Sequence, residues 1–86
     1  MEVIEKCNKA LASVKDYLSI SQYQECHELI NKHNECLLGL EFAIDFLTEE
    51  DILVSNKILD TFYLAFTSMA QEKNNRLPDL KAQVQQ

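Results

Sequence analysis

Glycine, proline and basic residues are scarce in this chain of 86 residues. It contains one glycine, one proline and no tryptophan. Folds rich in β-strands need many tight turns, which glycine and proline usually supply, so their scarcity favours a helical fold. Lysine and arginine together number eight and form no cluster, which argues against direct binding of nucleic acid.

Long apolar runs and paired cysteines are also missing. No stretch approaches the roughly 18 apolar residues that a membrane-spanning helix requires, and the first ten residues do not resemble a secretory signal. Three cysteines are an odd number, which is more typical of a reducing compartment than of a disulfide framework. We therefore expect a cytoplasmic protein with no membrane partner.

Negative charge is concentrated in one third of the chain. Residues 34–60 hold seven acidic residues and one basic residue, which gives a net charge of −6, equal to that of the whole chain. The flanking parts, 1–33 and 61–86, carry net charges of −1 and +1, which cancel. A charge concentrated in this way predicts contact with a positively charged partner.

The spacing of apolar residues predicts an all-α fold with four helices. We expect them over residues 2–18, 21–32 and 34–50, and from residue 56 until a polar run at 71–76. Short links favour a compact antiparallel bundle, with the third helix most buried because apolar residues surround most of it. Pro78 should break the helical pattern, so we expect one domain over residues 1–76 and a tail or short loose helix over 77–86.

Several residues are suited to begin these helices. Ser19 and Ser21 both precede the second helix, and Ser21 with Gln24 fits the capping-box pattern. Asn34 and Ser55 are the expected N-caps of the third and fourth helices.

The third predicted helix carries a narrow acidic strip formed by Glu41, Asp45 and Glu49. Like charges four residues apart on a helix destabilise it by roughly 0.2–0.5 kcal/mol per pair, and no basic residue on this helix offsets them. One interpretation is a solvated face that keeps the protein soluble. The other is a docking surface for a basic partner, since a face that serves solubility alone usually mixes charges of both signs.

Further residues are candidates for contacts with such a partner. Acidic residues flank the strip, namely Glu35, Glu50 and Asp51, although Asp51 could instead cap a turn before the fourth helix. Gly39 costs a helix about 0.8–1.0 kcal/mol relative to alanine, so it indicates a close approach, either by a neighbouring helix or by a partner. Tyr17 and Tyr23 are expected at the edge of the core, and tyrosines are also common interface anchors.

Catalytic and metal-binding patterns are weak. Cys26, His27, His33 and Cys36 lack the spacing of a zinc site, and no residue can be named to orient a cysteine–histidine nucleophile. Glu41 and Asp45 on a convex helix surface lack the cleft that acid–base chemistry needs. We therefore predict no enzyme, no catalytic residue, no metal, no cofactor and no small-molecule ligand.

Residues 32–69 form a pattern of apolar, acidic and capping positions: Asn34, Glu35, Gly39, Leu40, Glu41, Ile44, Leu47, Glu50, Asp51, Ile52, Val54, Ser55, Ile58, Leu59 and Phe62. This pattern resembles that of the small helical immunity proteins of the MafI type, which are encoded beside polymorphic toxins, including those of contact-dependent growth inhibition systems. The resemblance implies an all-helical protein that protects its producer by binding a cognate toxin domain. Some of these toxins are EndoU-like ribonucleases, so the implied partner is a basic nuclease domain.

Two other functions remain open. A small acidic secretion chaperone or adaptor would hold a protein client through exposed apolar residues, and Leu64 is the one apolar residue that the helical pattern places outside the core. A small metal-dependent enzyme has almost no support in the sequence.

Overall fold

The chain folds into five α-helices joined by short links. A computed structural model describes residues 2–85, and in it the helices are α1 (Glu2–Ser13), α2 (Ile20–Asn31), α3 (Cys36–Glu49), α4 (Asn56–Ser68) and α5 (Arg76–Ala82). Within these residues there is no strand longer than an isolated bridge. The all-helical class is therefore confirmed. The fifth helix, α5, lies in the C-terminal segment for which a tail or a short loose helix was expected, and the antiparallel order of the first four stays a prediction.

A single apolar core holds the helices together. Every buried side chain within residues 2–85 is apolar, and the two largest, Phe62 and Phe66, come from α4. Helix α1 packs against α4, while α3 contacts α1, α2 and α5. Helix α3 contributes six buried residues, more than any other helix. The radius of gyration is 11.4 Å, close to the roughly 12 Å expected of a compact chain of this length.

The residues after α4 include a short helix, which is one of the two alternatives expected for the C-terminal segment, but this helix belongs to the core and Pro78 lies inside it. Pro78 is the third residue of α5, where its missing N–H would have no partner within the helix. Leu77 and Leu80 are buried with the rest of the core, so the expected boundary between residues 76 and 77 falls inside α5. Beyond α5, Val54 N–H donates to the Gln83 carbonyl and Gln85 N–H donates to the Val54 carbonyl, both at 2.9 Å.

The ends of the first two helices also differ from the sequence pattern. Helix α1 ends at Ser13, and a 3-10 turn at residues 15–17 follows it. This turn keeps Val14 buried and Leu18 half-buried, which explains why the apolar spacing continued to residue 18. The capping box at the start of α2 is formed by Ser19 and Gln22, not by Ser21 and Gln24.

Of the two N-caps predicted for the later helices, one is confirmed and one is wrong. Ser55 caps α4 as expected, because its Oγ accepts a hydrogen bond from the Ile58 N–H at 3.2 Å. Asn34 does not cap α3. Its backbone is left-handed (φ 55°), and the next N–H, that of Glu35, donates to the Leu29 carbonyl at 2.7 Å, so Asn34 ends α2 instead.

Gly39 lets α2 and α3 approach each other closely. A Cβ at this position would lie 2.7 Å from Ile30 Cγ1 and 3.0 Å from the Cys26 carbonyl oxygen, both on α2. Of the two predicted explanations, the structure therefore contains the close approach of a neighbouring helix. Gly39 is buried there, so it is not accessible to a partner.

Substituting Gly39 by alanine should lower the free energy of unfolding by about 1 kcal/mol. The added methyl group overpacks the contact with α2, which typically costs about 1–3 kcal/mol, while the gain in helix propensity returns about 1 kcal/mol. Urea unfolding followed by circular dichroism measures the difference.

The same substitution is also made in a chain that already carries Ile30→Ala, as the matched comparison. Ile30→Ala removes the nearest atom on α2, so Gly39→Ala should cost less there than in the wild-type chain. A stabilising effect of Gly39→Ala in the wild-type chain would show that the two helices separate without cost, contrary to this account.

Candidate functional site

The exposed side of α3 carries the predicted acidic strip. Glu41, Asp45 and Glu49 follow one another at intervals of four residues on this helix, so they form one row. Glu49 is exposed, whereas Glu41 and Asp45 are half-buried. The row therefore exists, but its three carboxylates differ in how accessible they are to a partner.

Arg76 at the start of α5 binds two carboxylates of the row. Its Nε and Nη2 donate to the two carboxylate oxygens of Asp45, each at 3.3 Å, and its Nη1 lies 3.6 Å from Glu41 Oε2. Asn74 Nδ2 also donates to Glu41 Oε2, at 2.9 Å. Hydrogen bonding and charge from Asp45, with a smaller effect of Glu41, raise the pKa of Arg76 above its ordinary value.

No basic residue of α3 offsets the charge of the strip, as expected, but Arg76 offsets part of it from another helix. Arg76 is the only arginine of the chain, and its planar guanidinium suits two-point binding of a carboxylate. The contact joins positions 31 residues apart, so helical spacing could not reveal it. Glu41 and Asp45 are thus already engaged within the molecule.

The flanking acidic residues do not form one patch. Glu35 lies just before α3, and Glu50 and Asp51 lie just after it, next to Glu49; all of them are exposed. At 1.5 Å per residue, the two ends of α3 are about 20 Å apart. The left-handed backbone of Asp51 (φ 52°) places it at the end of α3, where its N–H donates to the Thr48 carbonyl at 3.2 Å.

Two apolar side chains that the sequence pattern assigned to the core lie beside this row. Phe42 and Phe46 are half-buried, and their rings meet edge to face with centroids 6.5 Å apart. Together with Glu25 of α2, Asp45 and Glu49 they line a groove of about 300 Å³. Sequence reasoning missed this groove, because the exposure of Phe42 and Phe46 depends on how α2 packs on α3.

A second groove runs along the first half of α3. Its volume is about 480 Å³. Its apolar lining includes Val3, Leu37, Leu38 and Met69, and its charged lining residues are Glu35 and Glu41. In both grooves beside α3, every charged lining residue is acidic. By contrast, the groove between α1 and α4 is lined by Lys9 and Lys57.

The two candidate tyrosines lie at the corner between α1 and α2. Tyr17 is exposed, in the 3-10 turn. Tyr23 is half-buried, with its ring stacked on that of His27 at 5.8 Å and the Lys15 Nζ 5.1 Å from its centroid. Tyr23 therefore has partners within the molecule, and Tyr17 is the more accessible of the two.

The cysteines and histidines do not assemble into a metal site in the part of the chain that the structure describes. Cys7, Cys26 and Cys36 are free and buried, whereas His27 and His33 are exposed. Over residues 2–85, no three cysteine, histidine or carboxylate side chains are close enough to hold a metal ion. Likewise, none of the helices in this range has the length and apolar character needed to cross a membrane.

Burial changes the chemistry of two of the thiols. Removal from water raises the pKa of Cys7 to about 12, with a further contribution from the neighbouring Cys36. Burial also raises the pKa of Cys26 to about 12, and the charge of Glu25 adds to the effect. Both thiols are therefore held in the protonated form, which is unreactive as a nucleophile and as a metal ligand.

Comparison with known proteins adds no relative. No protein-family model matches the chain, and no curated protein or solved structure matches it.

Replacing Arg76 by glutamine should lower the midpoint of thermal unfolding by roughly a few degrees. The change removes the cation between Glu41 and Asp45, so the like charges of the row again oppose each other. The loss should shrink at about 1 M salt, where charges are screened beyond roughly 3 Å. Lys73→Gln is the matched control, since it removes the same charge from an exposed position nearby. An equal loss in both variants would contradict a specific role of Arg76.

The free energy of unfolding should fall as the pH rises from about 9 towards 12. Unfolded thiols ionise near pH 8.5–9, while Cys7 and Cys26 in the folded protein keep their protons until about pH 12. The unfolded state then binds fewer protons than the folded state, so alkaline pH favours unfolding.

Urea unfolding at a series of alkaline pH values measures how steeply the free energy of unfolding falls with pH. The double variant Cys7→Ala/Cys26→Ala should have a shallower slope, whatever its overall stability. Equal slopes in the variant and the wild-type chain would exclude the two thiols as its cause.

Proposed function

We propose that this chain is an immunity protein that neutralises a cognate protein toxin by binding it. The proposed partner is a basic nuclease domain that cleaves RNA, of the EndoU-like kind. The resemblance of residues 32–69 to MafI-type immunity proteins motivates the proposal. One observation supports it above the others: the two grooves beside α3 combine apolar lining with charged residues that are all acidic.

Charge and apolar surface have complementary effects in such a complex. A ribonuclease needs a positive surface to hold its RNA substrate, and the charge of an acidic inhibitor steers it towards that surface as the two proteins approach. Close charge pairs across one nuclease–inhibitor interface couple by about 1.5–7 kcal/mol, so a few contacts can dominate affinity. The exposed parts of Phe42 and Phe46 would supply the apolar area that charge pairs alone lack.

The proposed contacts are the acidic residues of α3 and its ends. Glu49 and Glu50 are the strongest candidates because they are exposed and bind no side chain of α5. Glu41 and Asp45 would contact the partner either while they remain bound to Arg76 or after a cation of the partner displaces Arg76. Glu35, Asp51 and Tyr17 are peripheral, and Tyr23 contributes mainly through the part of its ring that is exposed. In this proposal the chain acts in the cytoplasm and catalyses no reaction.

Capture of the partner tests the function. The tagged chain is isolated from cells that carry its native locus, and the proteins bound to it are identified by mass spectrometry. We expect one basic domain from the C-terminal end of a large exported protein. When purified, this domain should cleave RNA, and one equivalent of the chain should stop cleavage. A captured domain that cleaves RNA equally well in the presence of the chain would refute the proposal.

The double charge reversal Glu49→Lys/Glu50→Lys should weaken binding of the captured domain by at least about a hundred-fold. Both positions are exposed, so the fold should persist, and the far-ultraviolet circular dichroism spectrum checks it. This pair is a sharper test than reversal of Glu41, Asp45 and Glu49 together, which would also break the contacts of Arg76.

Asp16→Lys/Glu72→Lys is the matched control because it reverses two exposed charges outside α3 and its ends, one in the turn before α2 and one in the link between α4 and α5. Binding by this control should fall only modestly, through long-range charge alone. If isothermal titration gives the same loss for both pairs, the binding surface lies elsewhere.

The adaptor function is the alternative, and five exposed apolar side chains favour it. Leu64 is 57% exposed, as the helical pattern indicated, but Ile20 (83%) and Leu53 (56%) are as exposed or more so, and Tyr17 and Tyr63 join them. An adaptor would use these residues to hold an unfolded client. Suppression of aggregation of an unrelated unfolded protein, measured by light scattering, would favour this alternative over immunity.

A further inference from the structure

The groove beside Phe42 and Phe46 has the size and the chemistry of a binding site for a single side chain. Helix α2 supplies Glu25 at one edge, and α3 supplies Phe42, Asp45, Phe46 and Glu49. The close packing of the two helices at Gly39 places these elements side by side. The volume of about 300 Å³ suits a long side chain better than a folded segment.

The aromatic pair forms the apolar part of the groove. Phe42 and Phe46 lie one helical turn apart, and their rings meet at 63°. Both pack against the core, but neither is fully buried, and the apolar surface that remains exposed to water is unfavourable in the free protein. A flat cation that covers a ring face removes apolar surface from water and also interacts with the ring electrons.

The charged part of the groove favours a cation with several hydrogen-bond donors. Both oxygens of Asp45 already accept hydrogen bonds from Arg76, so Asp45 adds negative potential more than new bonds. Glu25 and Glu49 are exposed on opposite helices and supply the carboxylates available for pairing. The contact between Arg76 and the neighbouring carboxylates shows that this row of α3 binds a guanidinium in a two-point geometry.

We infer that this groove binds an arginine side chain presented by the protein partner. Its guanidinium would lie against Phe42 or Phe46 and donate hydrogen bonds to Glu25 and Glu49. Arginine fits better than lysine because its head is planar, weakly hydrated and able to bind carboxylates at two points. The occupant is a protein side chain, since the acidic rim repels the phosphates of nucleic acids and membranes.

This inference rests on the proposed function for its partner, but its chemistry can be tested alone. N-acetyl-arginine amide is titrated into the isotopically labelled chain, and the aromatic resonances of Phe42 and Phe46 are followed by NMR. We expect saturable shifts at these two rings, with a dissociation constant on the order of millimolar for so small a ligand. N-acetyl-lysine amide should bind several-fold more weakly.

The variant Glu25→Gln/Glu49→Gln should weaken binding of the arginine probe about five- to thirty-fold. The control Asp16→Asn/Glu72→Gln removes the same charge elsewhere and should change it less than two-fold. The inference is overturned by an absence of saturable shifts up to about 50 mM probe, by equal effects of the two variants, or by shifts centred on other acidic residues.

The outcome is separable from that of the proposed function. If the chain binds the probe in the groove but inhibits no toxin, the arginine-binding groove is supported and the immunity function is refuted. If the chain inhibits a captured nuclease but does not respond to the probe, the immunity function is supported and the arginine-binding groove is refuted.

Discussion

The close contact between α2 and α3 at Gly39 is the constraint on which the rest of the structure depends. Helix α3 contributes the most buried residues and contacts three other helices, so its orientation fixes which of its residues remain accessible. The missing side chain at residue 39 lets α2 approach until Ile30 fills the space. With that side of α3 buried, the acidic row of Glu41, Asp45 and Glu49 lies on another side of the helix, and Phe42 and Phe46 lie between that row and α2.

Helix α5 sets the electrostatic character of this exposed side. Leu77 and Leu80 hold α5 in the core, and the helix thereby places Arg76 between Glu41 and Asp45. The pairing offsets like-charge repulsion within α3, whereas Glu25, Glu49 and Glu50 form no ion pair within residues 2–85. A partner of the proposed kind would meet a surface in which part of the charge is already ordered, which lowers the cost of ordering side chains on binding.

Local pattern predicted the parts of the fold that depend on neighbours in sequence. The periodic apolar residues identified the first four helices, and Ser55 was recognised as a cap because its bond to Ile58 spans three residues. The pattern left alternatives open where distant contacts decide: it allowed a tail or a short helix after residue 76, and α5 is an ordered helix because Leu77 and Leu80 pack in the core. Asn34 was assigned to the wrong helix because its left-handed backbone ends α2. The acidic row was visible in the sequence, whereas its contact with Arg76 and the partial exposure of Phe42 and Phe46 were not, since both depend on how α2 and α5 pack on α3.

In our proposal, the exposed side of α3 and the adjoining edge of α2 form the partner-binding surface. Carbodiimide labelling of carboxylates, with and without the captured partner and read out residue by residue by mass spectrometry, tests this location. We expect the partner to protect Glu25, Glu49 and Glu50, while Asp16 and Glu72 react as in the free chain. Unchanged labelling of the first three, with protection at the corner of Tyr17 and Ile20 or along Tyr63 and Leu64 in a parallel hydroxyl-radical experiment, would contradict it.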